Sequence, residues 1–246
     1  MVQKMWLPLA LTLLAGACLV PAQAADKLST VTPVADLVAE AETKIKDIEA
    51  LLADNDSYTK AKKKQVPQAA GTLAVLAQGI AQHDEDSAWK KSAADLRDAA
   101  ISIAKSASLD DAKKGLDAAK AAAGGKAGGA KADHAWDKLI DMDSLMAEVS
   151  ARNGKFRKFF KTPADHDVMA RNASTLAVLA LVIEADTHEV KDKADVAKWK
   201  KYSKDLQEGM SKISAAIKKK DDAGAKTLFL ESAKSCSGCH TDIRDK

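Results

Sequence analysis

The string Thr72-Leu73-Ala74-Val75-Leu76-Ala77 occurs again, 103 residues later, as Thr175-Leu176-Ala177-Val178-Leu179-Ala180. Further matches follow in the same order. Trp89-Lys90-Lys91 with Asp95-Leu96 returns as Trp199-Lys200-Lys201 with Asp205-Leu206, and the heptad series Trp89, Leu96, Ile103 returns as Trp199, Leu206, Ile213. Asp110-Asp111-Ala112 matches Asp221-Asp222-Ala223, so the spacing drifts only from 103 to 111 residues. Order kept over such a span marks a tandem duplication, and the fold must then be one unit used twice. Each unit has about 100 residues, an ordinary domain size. Between them, Gly124-Gly125-Lys126-Ala127-Gly128-Gly129 reads as a flexible linker.

The unit reads as helical. Abundant Ala, Lys, Asp and Leu with few aromatics suits helices packed through small and aliphatic side chains. Leu139, Met142, Met146 and Val149 recur at three- and four-residue steps and form one apolar stripe. Thr162-Pro163 has the form of a helix start, and Asp221-Asp222 sets two carboxylates where the helix macrodipole favours them. Helices are expected near 33–54, 58–82, 86–107 and 109–122 in the first copy, and near 133–159, 163–188, 192–219 and 221–243 in the second. Four amphipathic helices with short connections bury their stripes most simply as an antiparallel bundle. The fold class is therefore all-α: two tandem antiparallel four-helix bundles, at 30–122 and 133–246, joined by a Gly-rich linker at 123–132.

Residues 1–24 stand apart. Lys4, the apolar run Met5 to Val20 and the small-residue signal Ala22-Gln23-Ala24 make a secretory signal peptide, with cleavage after Ala24. Leu14-Ala15-Gly16-Ala17-Cys18 comes close to a lipoprotein acylation signal, but a larger aliphatic residue is usual where Ala15 stands, so acylation of Cys18 is the lesser reading. No other segment reads as reaching membrane-spanning length, which implies a soluble, exported mature protein. The net charge is +3 from 38 basic and 35 acidic residues, a balance that gives no reason to expect nucleic acid as a partner.

The residues that carry chemistry are Cys236-Ser237-Gly238-Cys239-His240. C-x-x-C-H is the pattern of covalent haem attachment. On a helix, positions i, i+3 and i+4 share a face, so two thiols can join one porphyrin while His240 reaches its iron. Competing readings account for less. Structural zinc needs four ligands, and the mature chain offers two thiols and scattered His. A thioredoxin-like motif would follow a strand, and a simple disulfide leaves His240 unexplained.

With this motif in its last helix, near the chain end, the second copy resembles the cytochrome c′ family of periplasmic class II cytochromes c. The ending Cys236-Ser237-Gly238-Cys239-His240-Thr241-Asp242-Ile243-Arg244 looks like that family's terminal motif, including the Arg four residues past the His. The resemblance implies one haem c inside the second bundle, thioether links to Cys236 and Cys239, and His240 as proximal iron ligand. It also suggests Arg244 as a propionate contact and the bundle's first helix as the cover of the other face. The first copy has no Cys and so is expected to be haemless, a scaffold or docking surface.

In this family the sixth iron position decides function. Some members leave it open behind an apolar side chain and bind NO or CO, while others fill it with a Met and carry electrons. Met146 best matches the ligand Met, with Met142 as runner-up, although Met at helical spacing is also ordinary core filling. At the ungapped offset of 103, their equivalents in the first copy are Ala39 and Thr43, so the Met pair occurs only where haem is expected. His134, His166 and His188 fall near helix ends and read as surface residues. Trp89 and Trp199 read as core anchors, and Lys218-Lys219-Lys220 as a solvated helix end. Phe156, Phe159 and Phe160 would cover either a haem edge or a contact between domains.

The expected function is periplasmic single-electron transfer to a redox partner protein, with capture or sensing of a diatomic gas as the alternative. No acid–base or nucleophilic constellation indicates an enzyme. Family members often dimerise through their first two helices, and the extra bundle is a candidate to occupy that surface within one chain.

Overall fold

A computed structural model describes residues 27–130 and 134–244. Residues 1–24, the expected signal peptide with Cys18, lie outside the described residues, as do residues 131 and 132 of the expected linker and residue 133. The described residues are all helical apart from turns and loops. The helices are α1 (Val34–Leu51), α2 (Asn55–Ala61), α3 (Gln65–Gln82), α4 (Ala93–Ala104), α5 (Leu109–Ala123), α6 (Met142–Phe159), α7 (His166–Ala185), α8 (Val196–Lys218) and α9 (Asp222–Cys239). A π-helical turn, His240–Arg244, continues α9.

Caps and punctuation explain where the helices depart from expectation. The helix expected over 58–82 is two helices, because Pro67 supplies no N–H to a helix running through from Tyr58. Asp54 caps α2 by accepting from the Ser57 amide at 2.8 Å. The helix expected from 133 begins at Met142, where Asp141 accepts from the Ser144 amide at 2.9 Å. Leu139 therefore precedes α6 but stays buried. Thr162-Pro163 is not a helix start. The Thr162 amide closes the end of α6 on the Lys158 carbonyl, and α7 opens three residues later behind Asp165, whose φ is 51°. The Asp221 cap is present, with its carboxylate accepting from the Gly224 amide at 2.9 Å. Trp89 sits in a turn ahead of α4, whereas Trp199 is buried in α8.

In the N-terminal half, α1, α3, α4 and α5 pack each against the next, and in the C-terminal half α6, α7, α8 and α9 do the same. The halves meet along α1 and α3 on one side and α6 and α7 on the other. Both Thr-Leu-Ala-Val-Leu-Ala strings lie there, buried on every face, in α3 and α7. A helix that is apolar all round must be covered all round, and these two are covered by both halves. That also explains α7, which is long and apolar enough in composition to cross a membrane yet is mostly buried inside the protein. The segment after α5 turns through Gly125 and Gly129, both at positive φ, and the Ala130 amide donates to Asp95 at 3.0 Å.

Charged side chains run through this seam. Arg152 of α6, 1% exposed, donates to Glu148 at 2.8 Å, to Asn172 at 2.7 Å and across the seam to Glu40 of α1 at 2.6 Å. Glu148 in turn pairs with Lys44 of α1 at 3.1 Å and accepts from Gln68 of α3 at 2.7 Å. Burial by itself would raise the Glu148 carboxyl, but Arg152, Lys44 and Gln68 outweigh it and hold its pKa at about 2. The sign for stability follows. Above the ordinary carboxyl value of 4.5 the folded-state interaction is fully present, and as pH falls toward 2 the unfolded chain takes up the proton first. We expect the unfolding free energy from urea titrations to fall across that window, by an amount on the order of a few kcal/mol, and Glu148→Gln to flatten the fall. An equally steep acid transition in Glu148→Gln would remove Glu148 as its source.

Candidate functional site

Along α9 one stripe faces the interior. Ala225, Phe229 and Ser232 are buried, Cys236 and Cys239 continue the stripe half-buried against the core, and Ile243 closes it. The steps of four and three residues keep all six on one side of the helix. His240, one position beyond Cys239, is part-buried and begins the π-helical turn, a local widening often found at functional positions. Cys236 and Cys239 are thus brought together on the inward side of α9, with His240 next to them in the chain. Arg244 ends the turn and is exposed.

The thiols are not bonded to each other. Burial pushes the Cys236 thiol up. Burial and then the neighbouring Cys236 push Cys239 up to about 11. A redox C-x-x-C nucleophile needs the opposite shift, toward thiolate at neutral pH. Among the described residues, no group of three His, Cys, Asp or Glu could hold a metal ion. A haem asks less of the protein, because its porphyrin supplies four of the iron's ligands and one or two side chains complete the set.

The outer side of the motif is clamped by a residue that the sequence did not single out. The Tyr202 ring of α8 lies so close to Gly238 that a Cβ there would come within 2.8 Å of its Cε1, and the Tyr202 hydroxyl donates to Asp242 at 2.8 Å. Gly209 meets α9 in the same way at Ser232, whose Oγ would stand 2.0 Å from an added Cβ. Both glycines let α8 and α9 approach closely and fix the rotation of α9 about its axis.

The facing helix is α6. Phe156 and Phe160 at its C-terminal end pack tilted against Phe229, with centroids 5.3 and 5.4 Å apart, and His166 bonds Asp222 at 3.0 Å at the same end of the molecule. Successive antiparallel packing makes α6 antiparallel to α9. Ten residues back from Phe156 is Met146, and ten residues on from Phe229 is Cys239; at 1.5 Å per residue both lie about 15 Å from the phenylalanine cluster. Met146 is therefore level with Cys239 and His240. Rotation agrees, because at about 100° per residue Met142, Met146, Val149 and Phe160 share the flank that faces α9, while Ser144 and Glu148 share the opposite one. Met146 is part-buried, whereas Met142 is buried at a cleft lined by Asp141, Asp143, Asp186 and His188, which does not include the cysteines. Along this stretch the backbones of α6 and α9 largely stay apart, while α1 and α5, their counterparts in the N-terminal half, pack together.

Other singled-out residues have plain structural roles. His134 pairs with Asp98 at 3.3 Å, and His188 pairs with Asp186 and Glu189. Phe159 meets His166 edge-on, so the phenylalanines join α6 to α7 and α9 at the end remote from His240. Lys218 is not simply solvated, since it crosses the seam to Asp36 at 2.7 Å. The register of the Met pair also changes. α1 and α6 are both 18 residues long, and Leu37-Val38-Ala39-Glu40 falls against Leu145-Met146-Ala147-Glu148, 108 residues apart. The counterparts of Met142 and Met146 are therefore Val34 and Val38, not Ala39 and Thr43. The five-residue difference is taken up by the segment holding α2, which has no partner before α7. No protein-family model, curated protein or solved structure matches this chain.

Proposed function

We propose that this chain is a periplasmic monohaem c-type cytochrome that passes single electrons to a redox partner protein. Its two halves would be copies of one four-helix bundle of the cytochrome c′ kind, the first without haem, joined through the Gly-rich segment and exported by residues 1–24. The observation that carries the reading is the inward stripe of α9, which puts Cys236 and Cys239 on the interior side beside His240, with α6 standing off at that level. Cys236 and Cys239 would hold haem c through two thioethers, and His240 would ligate its iron from the α9 side. Once bound, haem c supplies a one-electron couple between ferric and ferrous iron.

The protein's own part is to hold and shield. Tyr202 and Gly238 fix the angle at which α9 presents His240. Leu145, Val149 and Ile243 keep the interior apolar, which limits water at the site. Met146 is the candidate for the sixth position and Arg244 for a propionate contact. No acid or base is required, because no proton or group is transferred.

The test is the optical spectrum of the oxidised and reduced protein, with and without CO. We expect a low-spin ferric spectrum with a methionine-to-iron charge-transfer band. We also expect Met146→Ala to lose that band, turn high-spin and bind CO promptly. A wild-type protein that is already high-spin and takes CO at once would place it instead with the gas-binding members, with the sixth position open.

A further inference from the structure

We propose that the N-terminal half is the positioning element for the sixth position of the iron: α1 and α3 hold α6 in place, with Gly71, Gln68, Glu40 and Lys44 as positioning residues. This inference rests on the haem reading above. Its basis is which half of the molecule grips the segment leading to Met146. The His134 carbonyl accepts from Gln78 at 3.0 Å. Ile140, two residues before α6, lies so close to Gly71 that a Cβ there would come within 2.6 Å of Ile140 Cγ1 and 2.8 Å of its Cβ. Glu148 is held by Gln68 and Lys44, and Arg152 by Glu40. Every one of these partners belongs to the N-terminal half.

From its own half α6 receives one bond of this kind, from Arg152 to Asn172 of α7 at 2.7 Å. α6 also lies along α7, and its ring contacts with α9 are at Phe156 and Phe160, remote from Met146. The stretch Met142–Val149, level with Cys239 and His240, is thus steadied on the flank that faces away from α9. A helix gripped on one flank moves with its grip, so a displacement at α3 is carried to the position of Met146. The contact at Gly71 makes the sharpest probe. The atoms an added methyl would meet include Ile140 Cβ, which cannot swing aside without moving the backbone. Gly79 is the matched control, since its added Cβ would meet Leu37 and Val178 and nothing of α6.

The experiment compares Gly71→Ala, Gly79→Ala, Lys44→Met and Lys44→Arg with the wild type in the full chain. Three quantities are read: covalent haem by stain on a denaturing gel, the ferric spectrum with the CO association rate, and amide hydrogen exchange across 142–149. We expect haem retention to be unchanged throughout. Gly71→Ala and Lys44→Met should shift the ferric spectrum, change the CO rate by roughly tenfold, within the usual range for coupling between two sites, and speed exchange across 142–149. Gly79→Ala should leave all three near wild type, and Lys44→Arg should restore them. An unchanged spectrum and CO rate in Gly71→Ala, whether or not exchange speeds up, would overturn the proposal. So would an equal shift in Gly79→Ala, which would mark a general loosening of α3. A wild-type chain without covalent haem would instead overturn the reading beneath it, and the stain alone tells these two failures apart.

Discussion

Cys236→Ser combined with Cys239→Ser should abolish covalent haem retention when the chain is exported and matured in a host competent for c-type cytochromes. The effect is all-or-none, because the described cysteines are these two, and without sulfur at either position no thioether forms. Each single substitution should leave one link, with haem still on the denatured chain and a red-shifted pyridine haemochrome. The inward face of α9 adds a second expectation. Without the thioethers any haem must be held by His240 and packing alone, so it should leave on denaturation. Equal stain in wild type and double variant, or none in either, would sink the assignment.

Arg152→Met should be the most destabilising single change at the seam. Arg152 is almost fully buried and serves three acceptors, Glu148, Asn172 and Glu40. Its removal leaves Glu40 and Glu148 with Lys44 as their direct cationic partner and Lys155 nearby. Breaking a buried ion pair by deleting one partner costs about 3–5 kcal/mol, chiefly through the charge left behind. For a chain of this size that corresponds to a fall in Tm on the order of 10 °C by calorimetry. Arg157→Met, on the exposed side of the same helix, is the control and should change little. A Tm for Arg152→Met close to that of the control would show that the seam does not depend on this charge.

Most of the helices and the placing of Cys236, Cys239 and His240 near the end of the last one were legible because each rests on local chemistry. The cap at Asp221, and thiols at i and i+3, need no knowledge of the rest of the chain. The seam was harder to read. Glu40 and Lys44, like Glu148 and Arg152, look like solvated charges until a second half is laid over them, and one half read alone provides none. A clue was present nonetheless, in two strings apolar on every face, which a single bundle covers on one side only. The register of Met146 failed for a related reason. An ungapped offset taken from α3 and α7 was carried back across α2, where the two copies differ in length. The shorter match of Leu37, Ala39 and Glu40 to Leu145, Ala147 and Glu148 would have corrected it. Tyr202 was missed because nothing local ties it to Gly238; only the packing of α8 on α9 does.

The reciprocity of the seam has one more consequence. Glu40 of α1 meets Arg152 of α6 while Lys44 of α1 meets Glu148 of α6, and each residue stands at its counterpart's position 108 residues away. Contacts that exchange in this way are what a twofold interface between identical subunits presents. Between separate chains, such an interface obeys mass action and parts on dilution. Here both sides belong to one backbone, so opening is unimolecular and closing proceeds at a fixed effective concentration. The packing of α1 on α6 is therefore the same at nanomolar as at millimolar protein, and a titration by dilution should leave it untouched.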